Sequence, residues 1–559
     1  MMVLGLAPDA VPSGEMEETQ AIRKVCGVTD LESLDPDRVE YLSELLRHPV
    51  RINSSGKSEL DATGLFTPYQ VVSLLDYLSR HGQVLSTAEL SEVDGFSRSV
   101  VEVVAPFLDF DDVSLTKYGG RGFVSGNVNI RGGYKSRTDR DERKSMYGFK
   151  SRLSFSDRVV LSMSSSEPYD SEKAWPTLYS GNIVWNHSAG KVVVGDFNAR
   201  FGQGLCLWNT ASFSSLTSPS YFMKRPSGLS ASNSFTGTSA LTGIASDFMA
   251  GKWKVSSLLS IPEVKTLRSE PEKIMLAPAM NLTRFGRCGH VAFTHCMAFS
   301  NVMSESYRIP KMMSAVDASV CVYGVNAFCE VAYDWVTCMT SALAGCEFRT
   351  GDSHSMAVQA RYLPSSNEHA MVFAGEYAGK NHVLTYSAEG RYHPEGKSKD
   401  NVDSYQVKGQ VDWNWKPSAC VEVTMRFSER FRTWGVGYLT KLRADVRYLR
   451  RTWNAALRVD AVEGVDFACS GYVEGGYTGR RLTLYGRFGA FMVDNWDDRI
   501  YVYERDVPGN FNVPALYGRG IWISVYACWK FAGWGRVYVT GAYKKPGNAE
   551  LKLELALHF

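Results

Sequence analysis

Nowhere does the 559-residue chain offer an apolar run near the roughly 18 residues that a membrane-spanning helix needs, and its mean hydropathy is −0.19. The sequence therefore argues against helical membrane insertion. An excess of one charge is also missing: 61 basic residues face 59 acidic ones for a net +2. That balance provides no field strong enough to make a polyanion the main partner. Eleven cysteines run from Cys26 to Cys528 without a C-x-x-C pair or alternation with histidine at ligand spacing. Metal centres and thioredoxin-like redox centres lose their support, and neither a metal nor a cofactor is expected. Cys296, Cys321, Cys329, Cys346 and Cys528 fall in alternating segments, where a thiol acts as a small half-buried apolar group. The opening MMVLGLAPDAVPSG lacks a basic n-region and a signal core of about 7 to 15 apolar residues. Export then requires a leader upstream of residue 1, which sequencing upstream of the start codon tests.

Catalytic signatures are equally sparse. No Ser/His/Asp arrangement stands out among the ten histidines, and His290 and His295 read as residues of an alternating strand. No catalytic residue is assigned. Gly202-Gln203-Gly204 has the glycine spacing of a phosphate cradle, but no helix-forming run and no Lys-Ser/Thr follows it, which argues against a nucleotide loop.

What the chain does contain is 44% apolar and 12% aromatic residues, enough for a large core, arranged in two regions of different period. Residues 1–34 read as a flexible N-terminal segment. Over 35–112 apolar residues recur at three and four spacing, in VEYLSELLRHP, PYQVVSLLDYLSRHG and SRSVVEVVAPFL. Helix punctuation agrees. Asp35 precedes Pro36 at a first helical position, Pro49 ends one helix, and Gly82 follows Arg80 and His81 at the end of another.

From 118 to 559 the helical period gives way to segments of about ten residues that alternate with period two, separated by Gly, Asn, Asp, Ser and Pro. Val421, Val423, Met425 and Phe427 oppose Glu422, Thr424, Arg426 and Ser428. Leu442, Ala444, Val446 and Tyr448 oppose Lys441, Arg443, Asp445 and Arg447. Next, Leu457 and Val459 oppose Arg458 and Asp460. A soluble sandwich alternates as well, so alternation alone does not decide. Strand number does: about 445 residues at roughly 20 per strand and connection give about 22 strands, within 18 to 26, more than an open sheet usually holds. The charged faces, with Lys441, Arg443, Asp445, Arg447, Arg458, Asp460, Glu422 and Arg426, then line a wet lumen. Connections also alternate short and long over the first half, as in transmembrane barrels with periplasmic turns and outer loops.

The final nine residues, LKLELALHF, place Leu551, Leu553, Leu555, Leu557 and Phe559 on one face and Lys552, Glu554 and His558 on the other. This resembles the closing strand of bacterial outer-membrane β-barrels, whose terminal aromatic forms part of the assembly signal. The resemblance implies membrane lipid and the barrel-assembly machinery as partners.

The stretch from Ile52 to Phe110 resembles a tandem helix-hairpin-helix module of the kind found in the bacterial competence receptor for DNA. Asn53 follows Ile52, Ser58-Glu59-Leu60 opens a short helix, Tyr77 and Gly82 close a long one, and a second copy starts at Ser86. In that family, hairpin amides at a helix N-terminus hold duplex phosphates, implicating Gly64, Leu65, Phe66 and Thr67 and then Gly95, Phe96, Ser97 and Arg98. Phe66 and Ser97 stand where the family has its second glycine. Residues 36–110 carry 6 basic and 11 acidic side chains, the reverse of a nucleic-acid footprint. The run GDFNARFGQGLCLW, from Gly195, is similar to one in large barrel proteins of the Bacteroidetes type that also carry the helical module.

The sequence thus predicts a mainly β protein, a large antiparallel transmembrane β-barrel preceded by a small all-α helix-hairpin-helix domain on the periplasmic side, in the outer membrane of a Gram-negative bacterium. The expected function is a non-enzymatic channel or translocation component whose helical module docks a periplasmic protein partner or occludes the lumen. Duplex DNA uptake is the alternative, and an outer-membrane lipid hydrolase the third.

Overall fold

The computed structural model describes residues 15–110 and 124–559 except 29–31, 33, 35, 48, 54, 97, 138–141, 156–157, 168, 170–175, 177, 188, 210–216, 235–239, 262–274, 301–307, 352, 395–402, 451 and 546. Among the described residues six α-helices precede the barrel strands: α1 (Glu15–Cys26), α2 (Pro36–Arg47), α3 (Lys57–Thr63), α4 (Pro68–His81), α5 (Thr87–Leu90) and α6 (Arg98–Val104). None of the described helices is long and apolar enough to cross a membrane. Helix α1 lies where the sequence suggests flexible chain. Among its described residues the buried apolar side chains are Ala21, Ile22 and Val25, a stripe too narrow among charged residues to be legible as a periodicity.

The helix ends follow local chemistry. Thr67 accepts from Gln70 N while the Gln70 side chain accepts from Thr67 N, a reciprocal cap that starts α4 at Pro68. Gly64 ends α3 in the left-handed region at φ +60°. The Asn53 side chain bridges distant segments by donating to Val84 O and Phe110 O and accepting from Val84 N. Leu42, Ile52, Leu60, Leu65, Val71, Leu74, Val84, Leu90 and Phe107 then close one apolar core.

The remainder is a closed antiparallel barrel of 24 strands. This is slightly above the count of about 22, because several connections, such as Gly464–Asp466, are shorter than the assumed spacing. Closure occurs where the last strand, Asn548–His558, pairs with the first, Val124–Arg137, over Leu551↔Tyr134 and Leu555↔Ile130. A closed sheet leaves no unpaired edge.

The two faces of the wall differ in chemistry. Outward positions are exposed and apolar, including Leu442, Val446, Leu457, Val459, Leu551 and Leu553, while their sequence neighbours Asp445, Arg458, Asp460, Lys552 and Glu554 are buried inside. On the outside, at the ends of strands away from the chain terminus, Tyr362, His369, Tyr392 and Tyr405 form a row with ring centroids 4.8, 5.8 and 5.0 Å apart. Such a row is an aromatic girdle. An oily exterior with that girdle around a charged interior is the geometry of a transmembrane barrel. It rules out two sheets packed on a leucine core.

Candidate functional site

The site is the bore. A cylinder of this strand number is too wide for its own side chains to fill, and three segments occupy it: the helices, the loop after the strand Gly190–Arg200, and the connection between the strands Leu482–Val493 and Gly518–Ala532.

The helices meet the wall through charge. Lys150 Nζ lies 2.8 Å from Glu40 and 3.4 Å from Glu44 of α2, and Arg152 reaches Glu44 at 3.3 Å. Lys254 spans Asp61 of α3 at 3.2 Å and Asp247 of the wall at 3.6 Å. Arg458 and Arg443 grip Glu32 at 2.7 and 3.5 Å. The acidic excess of the helical region therefore faces basic residues of the wall. Apart from Arg152, which is half exposed, these pairs are largely removed from bulk water, so the partners depend on each other: a lone buried charge is far costlier than a paired one.

Strand direction orients the assembly. The turns around Asn186, Gly251 and Gly286 lie at the same end as Phe559, and a cavity of about 2300 Å³ between helices and wall is lined there by Lys57, Lys150, Lys191, Gly251, Arg287 and Phe559. The longer connections are at the opposite end. Lys57 faces this cavity with its ammonium over the Phe285 ring and no hydrogen-bond acceptor. Burial outweighs nearby Asp61 and brings its pKa down to about 7.

The second filling segment explains the glycine run. Gly202 and Gly204 have φ of +59° and +89°, and the tight path they allow aims the amides of Gln203, Leu205 and Cys206 at the Glu330 carboxylate, at 2.6, 3.1 and 3.3 Å. A Cβ on Gly202 would come within 2.9 Å of that carboxyl group. The glycines do build an anion cradle, but its occupant is a wall side chain 124 or more residues away. Beyond it, Phe222 is fully buried against Phe328, Leu343, Ala357 and Val372, and Arg225 donates to Leu65 O at 2.8 Å. Lys224, stacked over Trp208, has its pKa lowered to about 8, chiefly by burial.

The third segment, residues 494–517, folds in beside the helices. Tyr503 and Phe511 pack on the helical core. Glu474 takes Arg487 at 2.7 Å and Arg505 at 3.1 Å, tying the segment to the wall, and Asp506 pairs with Lys552 of the closing strand.

Among the residues singled out by sequence, the apolar side chains of both hairpins turn into the helical core, while Gly95 is exposed. Leu65, Phe66 and Phe96 are at most 2% exposed, and the Phe66 and Phe96 rings meet edge-to-face at 5.6 Å. Gly95 O accepts from Gln70 at 2.9 Å, and Gly64 O from Arg38 at 3.1 Å. Thr67 is the α4 cap. Ser97 lies outside the described residues, and only the backbone of Arg98 is described, opening α6. The polar wall residues are brought together as lateral pairs: Arg443–Asp460 and Arg458–Asp460 at 2.7 Å, Arg426–Asp412, Arg447–Asp445 at 4.0 Å, and Glu422 accepting from Asn414 at 2.8 Å. Lys441 faces Ser428 across the register. Leu551, Leu553, Leu555, Leu557 and Phe559 sit on or beyond the closing strand, with Leu551 and Leu553 exposed on the outer face.

A Ser/His/Asp contact does form on the wall, unseen in the sequence. His290 Nδ1 lies 2.8 Å from Ser319 Oγ, and Nε2 lies 2.8 Å from Asp317. Both partners come from one strand, two residues apart, so the imidazole clasps neighbouring strands, in the reverse of the arrangement in which Nε2 serves the serine. Lys150, Lys254, Arg225 and Glu330 also escaped sequence reasoning. Their only signal was the acid excess of the helices, which calls for basic partners somewhere.

No family model and no curated protein matches the chain. Among solved structures, the siderophore receptor PirA from Pseudomonas aeruginosa aligns at a TM-score of 0.43 with 5% identity, covering 78% of this chain and 81% of that one. The copper transporter OprC aligns at 0.40 with 6% identity over 78% and 81%. The FrpB iron transporter from Neisseria meningitidis aligns at 0.36 with 8% identity over 80% and 83%.

Proposed function

We propose that this chain is a non-enzymatic translocation component of the outer membrane of a Gram-negative cell, with its helical unit acting as a removable plug at the periplasmic end of the bore. One observation carries the reading. The helical core closes almost entirely on its own residues, while its contacts with the wall run largely through ion pairs. Water and counter-ions can replace such contacts during a displacement, whereas an apolar seam would have to be exposed. The short turns and Phe559 mark the periplasmic side, and the cavity at that end gives a partner protein or a solute access to the seam.

Planar-bilayer recording of the purified protein, with and without residues 1–115, tests the reading. The full chain is expected to be nearly silent and the shortened chain to conduct. Absence of conductance in both forms would overturn it. Duplex DNA is the disfavoured cargo, because Leu65, Phe66 and Phe96 of the hairpins are spent on the helical core and the unit is acidic. A gel-shift titration against salt at low ionic strength checks this, and a steep negative salt slope would restore DNA uptake.

A further inference from the structure

Cys206 and Cys296 are the only described cysteines whose sulfurs are in contact, at 3.6 Å. One sits on the infolded loop and the other on the inward face of the strand Gly289–Ser300. Both are 4% exposed, in a pocket otherwise walled by Ala315 and Ala332 with Leu205 and Leu207 beside them. The Glu330 cradle holds the Cys206 amide at 3.3 Å and thereby fixes the loop backbone against the wall. A disulfide needs an S–S separation of about 2.0 Å. Cys206 lies in irregular chain between glycines and the bridge Arg200↔Trp208, so the loop side can supply that approach without moving the ladder.

We propose that Cys206 and Cys296 are a disulfide-forming pair that staples the infolded loop to the barrel wall, making the loop a fixed roof beneath which the helical plug moves. In the step, each thiol loses its proton and one electron and one S–S bond forms. The two electrons reduce an incoming disulfide, small-molecule or carried by an oxidoreductase, to two thiols. Disulfides persist outside the reducing cytosol, so the physiological oxidant rests on the outer-membrane reading above, whereas the chemistry of the pair does not.

The test uses the full chain in detergent, oxidised with diamide, which takes up the two electrons and two protons as its hydrazine. Remaining thiols are capped with iodoacetamide and peptides are mapped without reduction. The expected result is one cross-linked species joining the peptides of Cys206 and Cys296, with exposed Cys288, Cys329 and Cys338 recovered capped. Trypsin cleavage after Lys224 should slow at least tenfold on oxidation, and Cys296→Ala should abolish both effects. Separate capping of Cys206 and Cys296, or their linkage to other cysteines, overturns the proposal. Should the variant fail to assemble, the map of the unaltered protein decides alone. Because no conductance is measured, failure here is distinct from failure of the plug reading.

Discussion

The helical unit and the infolded loop fill the same bore by opposite means. The helices bury their leucines among themselves and meet the wall with carboxylates, Glu32, Glu40, Glu44 and Asp61, each facing a wall Lys or Arg. The loop has little core of its own. It presses Phe222 into wall side chains and surrenders its amides to Glu330. A unit with its own core survives separation, while a segment that presses its buried ring into the wall does not. On the proposed reading the plug is separable and the roof is part of the barrel.

Reversing charge at the seam should break this contrast most severely. In Lys150→Glu with Lys254→Glu, four ion pairs become repulsions, and loss of one partner of a buried pair costs about 3–5 kcal/mol. Conductance of the full chain is expected to approach that of the chain lacking residues 1–115. Restoring attraction at one contact with Glu40→Lys should partly silence it, an outcome that loss of folding could not imitate. Next in size, Phe66→Ala removes a ring from the helical core and should cost that unit about 3–5 kcal/mol. Thermal melting followed by far-UV circular dichroism should show the helical signal lost first while the barrel keeps its heat-modifiable mobility on gels. A single shared transition would mean the two regions are not independent.

The contrast also governs what the sequence could reveal. Barrel architecture was legible because a strand between lipid and water writes its two environments at alternate positions, as Leu551 to Phe559 do. The helices were legible through their apolar spacing and through Pro36, Pro49 and Gly82, whose punctuation is local. Neither kind of signal reports a contact across the bore. Nothing in the alternation around Lys150 says that it meets a helix carboxylate pair. The Gly202-Gln203-Gly204 cradle was visible as a shape without its occupant, because Glu330 is supplied by a wall strand far along the chain.

A smaller effect sharpens the roof side. Glu330→Gln keeps the size but removes the charge that accepts three amides, a loss of about 1.5–3 kcal/mol for charge-assisted bonds. Trypsin should then cut after Lys224 faster while helix content is unchanged. If the helices loosen equally, the roof and plug are one unit.

The smallest expected effect is a pH dependence confined to the plug. Lys57 has a folded pKa of about 7, below its usual 10.5, because burial outweighs the attraction of Asp61, and Lys254 adds repulsion. Below about pH 7 both the folded and unfolded chains carry the proton. Between about 7 and 10.5 only the unfolded chain binds it, so stability must rise with pH across that window. The urea midpoint of the helical signal should increase from pH 6.5 to 8.5. Lys57→Met, which keeps the chain over the Phe285 ring but cannot titrate, should flatten the rise. A midpoint that falls with pH, or a slope that survives the substitution, would place the titrating group elsewhere along the seam.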